Sequence, residues 1–274
     1  MQSHQTYDHL PTRAHAPRGY APPDAPRPNV AAHKSPQLLG ALLMLTALFL
    51  AACGTPEIQP LTFNAPPWQD GEVSIYTVTD VEDEYAGTIR YDITRAGDGW
   101  TVRRETVTHG DNEIVEVTTA GDSLRPLTAT MTRSDERGTE SVNTTFSGSQ
   151  VDMELTTVED VTTYQRENIP SDARDQRTVL MMARMLPLAA RYAVRFNSYL
   201  PVADLLDRVT LTVSGREEVT VPAGTFDTWR VKLDTGDSEV DAWIGTDAPY
   251  PLVKYTDTRT GGMFELMEFT PGGG

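Results

Sequence analysis

Residue types that do chemistry are scarce in this chain. Its single thiol is Cys53, which excludes an intramolecular disulfide framework and any multi-thiolate metal site. Of its five histidines, His4, His9, His15 and His33 precede Cys53, and His109 alone follows it. A hydrolytic triad needs an imidazole to take the serine proton. His109 stands in the polar turn His109-Gly110-Asp111-Asn112, and no Gly-x-Ser-x-Gly elbow occurs. Acids are plentiful: Glu82-Asp83-Glu84 form one run, and Asp234, Asp237, Glu239 and Asp241 surround Gly236. The second group has the composition of a calcium loop without the EF-hand spacing, and solvated acids at a hairpin tip explain it as well. A glycosidase-like carboxylate pair would meet only in the fold, and nothing singles one out. Met181, Met182 and Met185 are thioethers that suit Cu(I). Methionine is more often a flexible filler of apolar surface, so they are read as core or pocket lining. The expectation is a protein that is not an enzyme, with no catalytic residue, no metal and no cofactor.

Composition agrees. The chain has 274 residues, 39% apolar and 23% charged, which describes a globular protein of one large β domain or two ordinary ones. A net charge of −16 argues against nucleic acid as a partner, since that needs a basic footprint over phosphate.

Residues Leu38 to Ala52 form an apolar run behind His33 and Lys34, too short for a comfortable membrane span of about 20 residues. A short positive region, an apolar stretch and small residues before a cleavage point make a secretory signal. The run ends Leu50-Ala51-Ala52-Cys53-Gly54, which resembles the bacterial lipobox. The resemblance implies that Cys53 is diacylated and becomes the new N-terminus. Two acyl chains anchor a protein stably to a membrane, and Gly54 in place of an aspartate implies the outer membrane, facing the periplasm, in an organism that has one. Cleavage there removes four Lys/Arg and two acids, taking the net charge from −16 to −18. Ahead of the signal, residues 1–32 have no apolar period and are rich in Pro, Ala and His. They are either a cytoplasmic extension of the signal or the product of a start codon placed too early, the second being preferred. The expected organisation is therefore a disordered extension plus signal over 1–52, a lipidated Pro-rich tether over 53–70, one β-rich domain over 71–270 and a tail at 271–274.

The domain reads as strand after strand. Ile89, Tyr91 and Ile93 alternate with Arg90, Asp92 and Thr94, and Val151, Met153 and Leu155 alternate with Asp152 and Glu154. Turn signals such as Gly97-Asp98-Gly99 and His109-Gly110 recur between runs rich in Thr and Val. An antiparallel meander with one wet face follows. One stretch differs. Val179, Met182, Ala183 and Leu186 have helical spacing, and Pro187 stops the helix, which is placed over Asp175 to Leu186. Residues 188–206 are ambiguous between a second short helix and a crossing loop. The arginines at 174, 177, 184 and 191 are read as the wet face of this region. Val221-Pro222-Ala223-Gly224 suits a type I turn joining two long strands.

The run Val213 to Val231, containing Val-Pro-Ala-Gly-x-Phe, and the run Trp243 to Lys254, containing Pro-x-Pro-Leu-Val-Lys, resemble a family of exported bacterial proteins of unknown function. The likeness covers about 178–269. It implies a mainly β fold, a curved antiparallel sheet of half-barrel shape with one or two helices inserted at about 172–206, similar to the lipoprotein-carrier proteins. The family brings no catalytic residues. Two functions remain open. One is a non-catalytic binding module, with Val179, Met182, Met185 and Leu186 lining a pocket for a lipid or other apolar envelope ligand. The other is a structural or interaction lipoprotein with a filled core and an acidic partner-binding surface. Oligomeric state, ligand and protein partner are not legible.

Overall fold

The alternating residues become strands. A computed structural model describes residues 56–82 and 84–273; the signal segment, Cys53 and Gly274 lie outside them. In β1 (Glu72–Thr79) every second residue is buried, because successive strand side chains point to opposite faces. The chain continues through β2 (Tyr85–Ala96), β3 (Gly99–Thr108), β4 (Asp111–Ala120), β5 (Arg125–Asp135), β6 (Gly138–Ser147), β7 (Gln150–Thr156) and β8 (Thr162–Asn168). After β9 (Arg174–Asp175) and a short helix α1 (Val179–Ala183) come β10 (Ala193–Leu200), β11 (Leu205–Val221), β12 (Gly224–Asp234), β13 (Glu239–Gly245), β14 (Leu252–Asp257) and β15 (Met263–Thr270).

Among the described residues these form one sheet of 15 strands, in the order β8-β7-β6-β5-β4-β3-β2-β1-β15-β14-β13-β12-β11-β10-β9. The first strand thus pairs with the last, Val73 opposite Thr270. Only β9 runs parallel to its neighbour, β10. Where strands approach closely the sequence supplies glycine: a Cβ on Gly99 would stand 1.8 Å from the Thr119 carbonyl oxygen. The sheet curls without closing into a barrel. Ser198 of β10 faces the interior, while Tyr199, one residue on and so on the other face, packs on Val151 and Met153 of β7. The free edge β8 is exposed and carries Arg166 and Glu167, which discourage further pairing.

One end of the interior is filled. Trp68 meets Trp100 edge to face at 6.0 Å, above Tyr76, the three methionines of the helical segment and Leu211. The β11–β12 hairpin breaks register between Val213 and Gly215, and its Pro-Ala-Gly tip docks on β15, where Ala223 N–H donates to the Leu266 carbonyl at 3.0 Å.

Several expectations change. The helix is shorter than Asp175–Leu186: Asp175 caps a 3-10 turn at Gln176–Thr178, and after Ala183 the bonds tighten to i→i−3, as in Arg184 N–H to Met181 O at 3.1 Å. No second α-helix fills 188–206, where the helical residues are a single 3-10 turn at Pro201–Ala203. Val194, Phe196 and Ser198 alternate there with Arg195 and Asn197 as β10. The Pro-rich segment from residue 56 to 70 lies on the sheet instead of hanging free. Gln59 N–H donates to Ala193 O and Asn64 N–H to Met185 O, each at 2.8 Å, and Leu61, Phe63 and Trp68 pack on the core. Gly272 of the tail is equally close-packed, since a Cβ there would stand 2.4 Å from the Gln69 and Asp70 carbonyls.

Candidate binding cavity

The other end of the interior is a cavity of about 630 Å³, within the range of small-molecule sites. The period of two sets its depth. Along β3 the inward residues are Trp100, Val102, Arg104, Thr106 and Thr108; the first two are packed in the core, and the cavity begins at Arg104. In the same way it begins at Tyr91 on β2, Leu233 on β12 and Tyr255 on β14. Above this floor runs an apolar belt that includes Val78, Ile89, Val209, Val240 and Phe264. His109, Asp111, Arg133, Asp257 and Arg259 ring the mouth. The helical segment closes one wall with Gln176, Arg177, Val179 and Leu180.

Electrostatics distinguish floor from mouth. Arg104 Nη2 donates to Glu113 Oε1 at 2.5 Å, and the 22% of its side chain left exposed opens on the cavity. Burial alone would push its guanidinium down, but Tyr91, Glu113 and Tyr255 together hold it above its ordinary value, so it is a fixed cation. Burial pushes Tyr255 well up, reinforced by Tyr91 beside it. Burial likewise raises Tyr76, whose hydroxyl donates to the Leu252 carbonyl at 2.7 Å. At the mouth Arg133 reaches Asp111 at 3.2 Å with both side chains over two-fifths exposed, an ion pair of small energetic weight.

Of the residues expected to line a pocket, Val179 does so. Met182, Met185 and Leu186 are buried in the packed end and are not part of the cavity wall. A helix with one apolar face would have aimed them at the sheet's hollow; here Val179 and Leu180 face the cavity, while Met182, Met185 and Leu186 turn into the packed end and plug it. Leu180, Arg104 and the two floor tyrosines were missed. The position of Arg104 in phase with Val102 and Thr106, on one face of β3, was the available signal, but an arginine on a strand reads first as solvent-facing. Three of the four arginines read as wet are in fact buried. Arg184 donates to both oxygens of Glu72, at 2.6 and 3.1 Å, and to the carbonyls of Pro249 and Tyr250. Arg177 forks onto Asp175, and Arg174 reaches the Ser123 carbonyl at 3.0 Å. Burial lowers Arg174 from its ordinary value. His109, φ 48°, is at the β3–β4 turn. The acids around Gly236 serve the hairpin and outer face: Asp234 accepts from Gly236 N–H at 2.7 Å, Glu239 pairs with Lys232 at 2.7 Å and Asp241 with Arg230 at 2.9 Å. Among the described residues no group of three or more His, Cys, Asp or Glu is placed to hold a metal, and no helix is long and apolar enough to cross a membrane.

A curled, open β-meander with a plugged end and a hollow end defines a barrel-like protein with an internal cavity. The chain belongs to the family described as "Protein of unknown function (DUF3108)", whose profile matches residues 72–266, through both halves of the sheet. It is similar in fold to a β-barrel-like protein of domain of unknown function DUF1849 from Brucella abortus, at 9% identity and TM-score 0.51, over 77% of this chain and 100% of that one. Weaker similarity, at TM-score 0.29 and 13% identity over 77% of this chain and 100% of that one, is found to a protein provisionally described as a lipoprotein from Parabacteroides distasonis. No curated protein matches the chain.

Proposed function

We propose that this is an exported lipoprotein, held to a membrane by acyl chains on Cys53, whose domain is a non-catalytic binding module for a lipid or other apolar envelope ligand. The observation that carries the binding reading is the hollow end of the sheet, a cavity of about 630 Å³ with an apolar belt. A purely structural meander would fill that space with its own side chains, as the opposite end of this sheet is filled. Export and anchoring rest on the sequence Leu50-Ala51-Ala52-Cys53 at the end of an apolar run. In a Gram-negative host the same reading places the domain at the outer membrane, facing the periplasm. The non-catalytic reading rests on His109 being the lone imidazole of the mature chain, at a cavity rim.

Uptake of a neutral fluorescent apolar dye by the full-length protein tests the binding reading. Wild type is expected to take up one dye per chain. Leu180→Trp, at a half-buried wall position that borders the core cluster, adds bulk to the cavity and is expected to lower the affinity at least about tenfold with one cooperative thermal transition kept. A wild type that takes up no dye contradicts the reading.

A further inference from the structure

Arg104 uses only part of its donor set. Nη2 binds Glu113, whereas the buried Nε–H has no partner among the described residues. Two residues along the same face, the Thr106 hydroxyl is also buried without a partner, and across the cavity so is that of Ser198. Eleven buried side-chain polar atoms among the described residues lack a partner, and those of Thr79, Arg104, Thr106 and Ser198 are the ones on residues that line the cavity, where a bound molecule can supply an acceptor. The floor is thus built for an oxygen-bearing molecular end, while the belt above it suits hydrocarbon.

The charge of that end follows from its surroundings. Four arginines and four acids line the cavity, so its wall is balanced on a chain of net charge −16. Arg104 is already neutralised by Glu113. A carboxylate or phosphate placed there would lie beside Glu113 at like charge, stripped of water, with no unmatched cation on the floor to hold it; Arg259, whose guanidinium makes no ion pair among the described residues, stands at the mouth. A hydroxyl or ester end has no such conflict. Its oxygen accepts from Arg104 Nε–H and from Thr106, and a hydroxyl can donate to Glu113.

We propose that the ligand is an uncharged amphiphile that enters head first, its hydroxyl- or ester-bearing end on Arg104 and Thr106 and its hydrocarbon tail along the belt. The proposal rests on the apolar-ligand reading above and adds the head's chemistry and direction.

The test is displacement of diphenylhexatriene from the full-length protein by monodecanoylglycerol, decanoate and decane, which differ in the head alone. The glycerol ester is expected to compete about tenfold better than either of the others, the weight of one well-made hydrogen bond to a charged donor. Thr106→Val keeps the shape and removes the hydroxyl. The paired change Arg104→Met with Glu113→Leu removes both charges together. Each is expected to bring the ester down toward decane while dye uptake persists. Decanoate competing as well as the ester, or equal competition by all three, overturns the uncharged-head proposal and leaves the apolar-ligand reading standing. An ester preference that survives both variants overturns the assignment to this floor. No dye uptake by wild type overturns the reading and the proposal together.

Discussion

Arg184 shows how much a single side chain can fasten. It is buried with Glu72 and joins the end of the helical segment to the start of β1 and to the β13–β14 turn. A buried pair adds little over apolar residues of the same shape, but removing one partner strands the other charge, at about 3–5 kcal/mol. Arg184→Met is therefore expected to lower the urea midpoint sharply, and adding Glu72→Leu to restore most of it. A double variant as unstable as the single one contradicts this account. The tyrosines set an alkaline limit. Burial holds Tyr76 and Tyr255 above their ordinary value, so the folded state favours the neutral phenol. A group raised in the fold contributes its full stability below its unfolded pKa, about 10 for tyrosine, and loses it as pH climbs past that value. The unfolding midpoint should be flat from neutrality to about pH 9 and fall beyond about pH 10; a fall confined to lower pH would assign the effect to other groups. None of these partners was legible in the sequence, because Glu72 and Arg184 meet only when distant segments fold together.

Elements were legible in proportion to their periodicity. The alternations at Ile89–Ile93 and Val151–Leu155 give β2 and β7, and the His109-Gly110 turn joins β3 to β4. The helical spacing of Val179, Met182, Ala183 and Leu186 is real but spans one short α-helix between 3-10 turns. What the spacing could not show is that Met181 and Met185, off the expected stripe, are buried as fully as Met182. The segment is a plug and not a lid. Met182→Asp places a charge in packed apolar surroundings, which costs several kcal/mol. The expected outcome is loss of the cooperative transition in circular dichroism. A folded Met182→Asp protein that has lost only ligand uptake would instead make this helix a cavity lid. The strand β10 was missed although Val194, Phe196 and Ser198 alternate, because the apolar residues around it blur the period.

At the scale of the molecule, the meander returns on itself so that β1 sits between β2 and β15, and long-range pairing ties first strand to last. Composition suggested a free tether before β1, yet Trp68 is 3% exposed and meets Trp100 edge to face. Pro-rich text says only that a segment forms no regular element; it does not say whether the segment docks. Trp68→Ala is expected to lower the one thermal midpoint of the domain, since removing a buried tryptophan costs about 3–5 kcal/mol. A separate early transition would mean that residues 56–70 melt alone. The hollow end was the part least visible in sequence, because a cavity is a property of curvature and register summed over many strands. The account stands or falls on whether that hollow holds a molecule. Native mass spectrometry of the full-length protein, isolated from its own host without added lipid, measures this directly. The account predicts, beyond the mass of the acylated chain, one further uncharged apolar molecule per chain that organic solvent releases and that Leu180→Trp does not retain. A bare chain mass in wild type, together with no uptake of added monodecanoylglycerol, would contradict it.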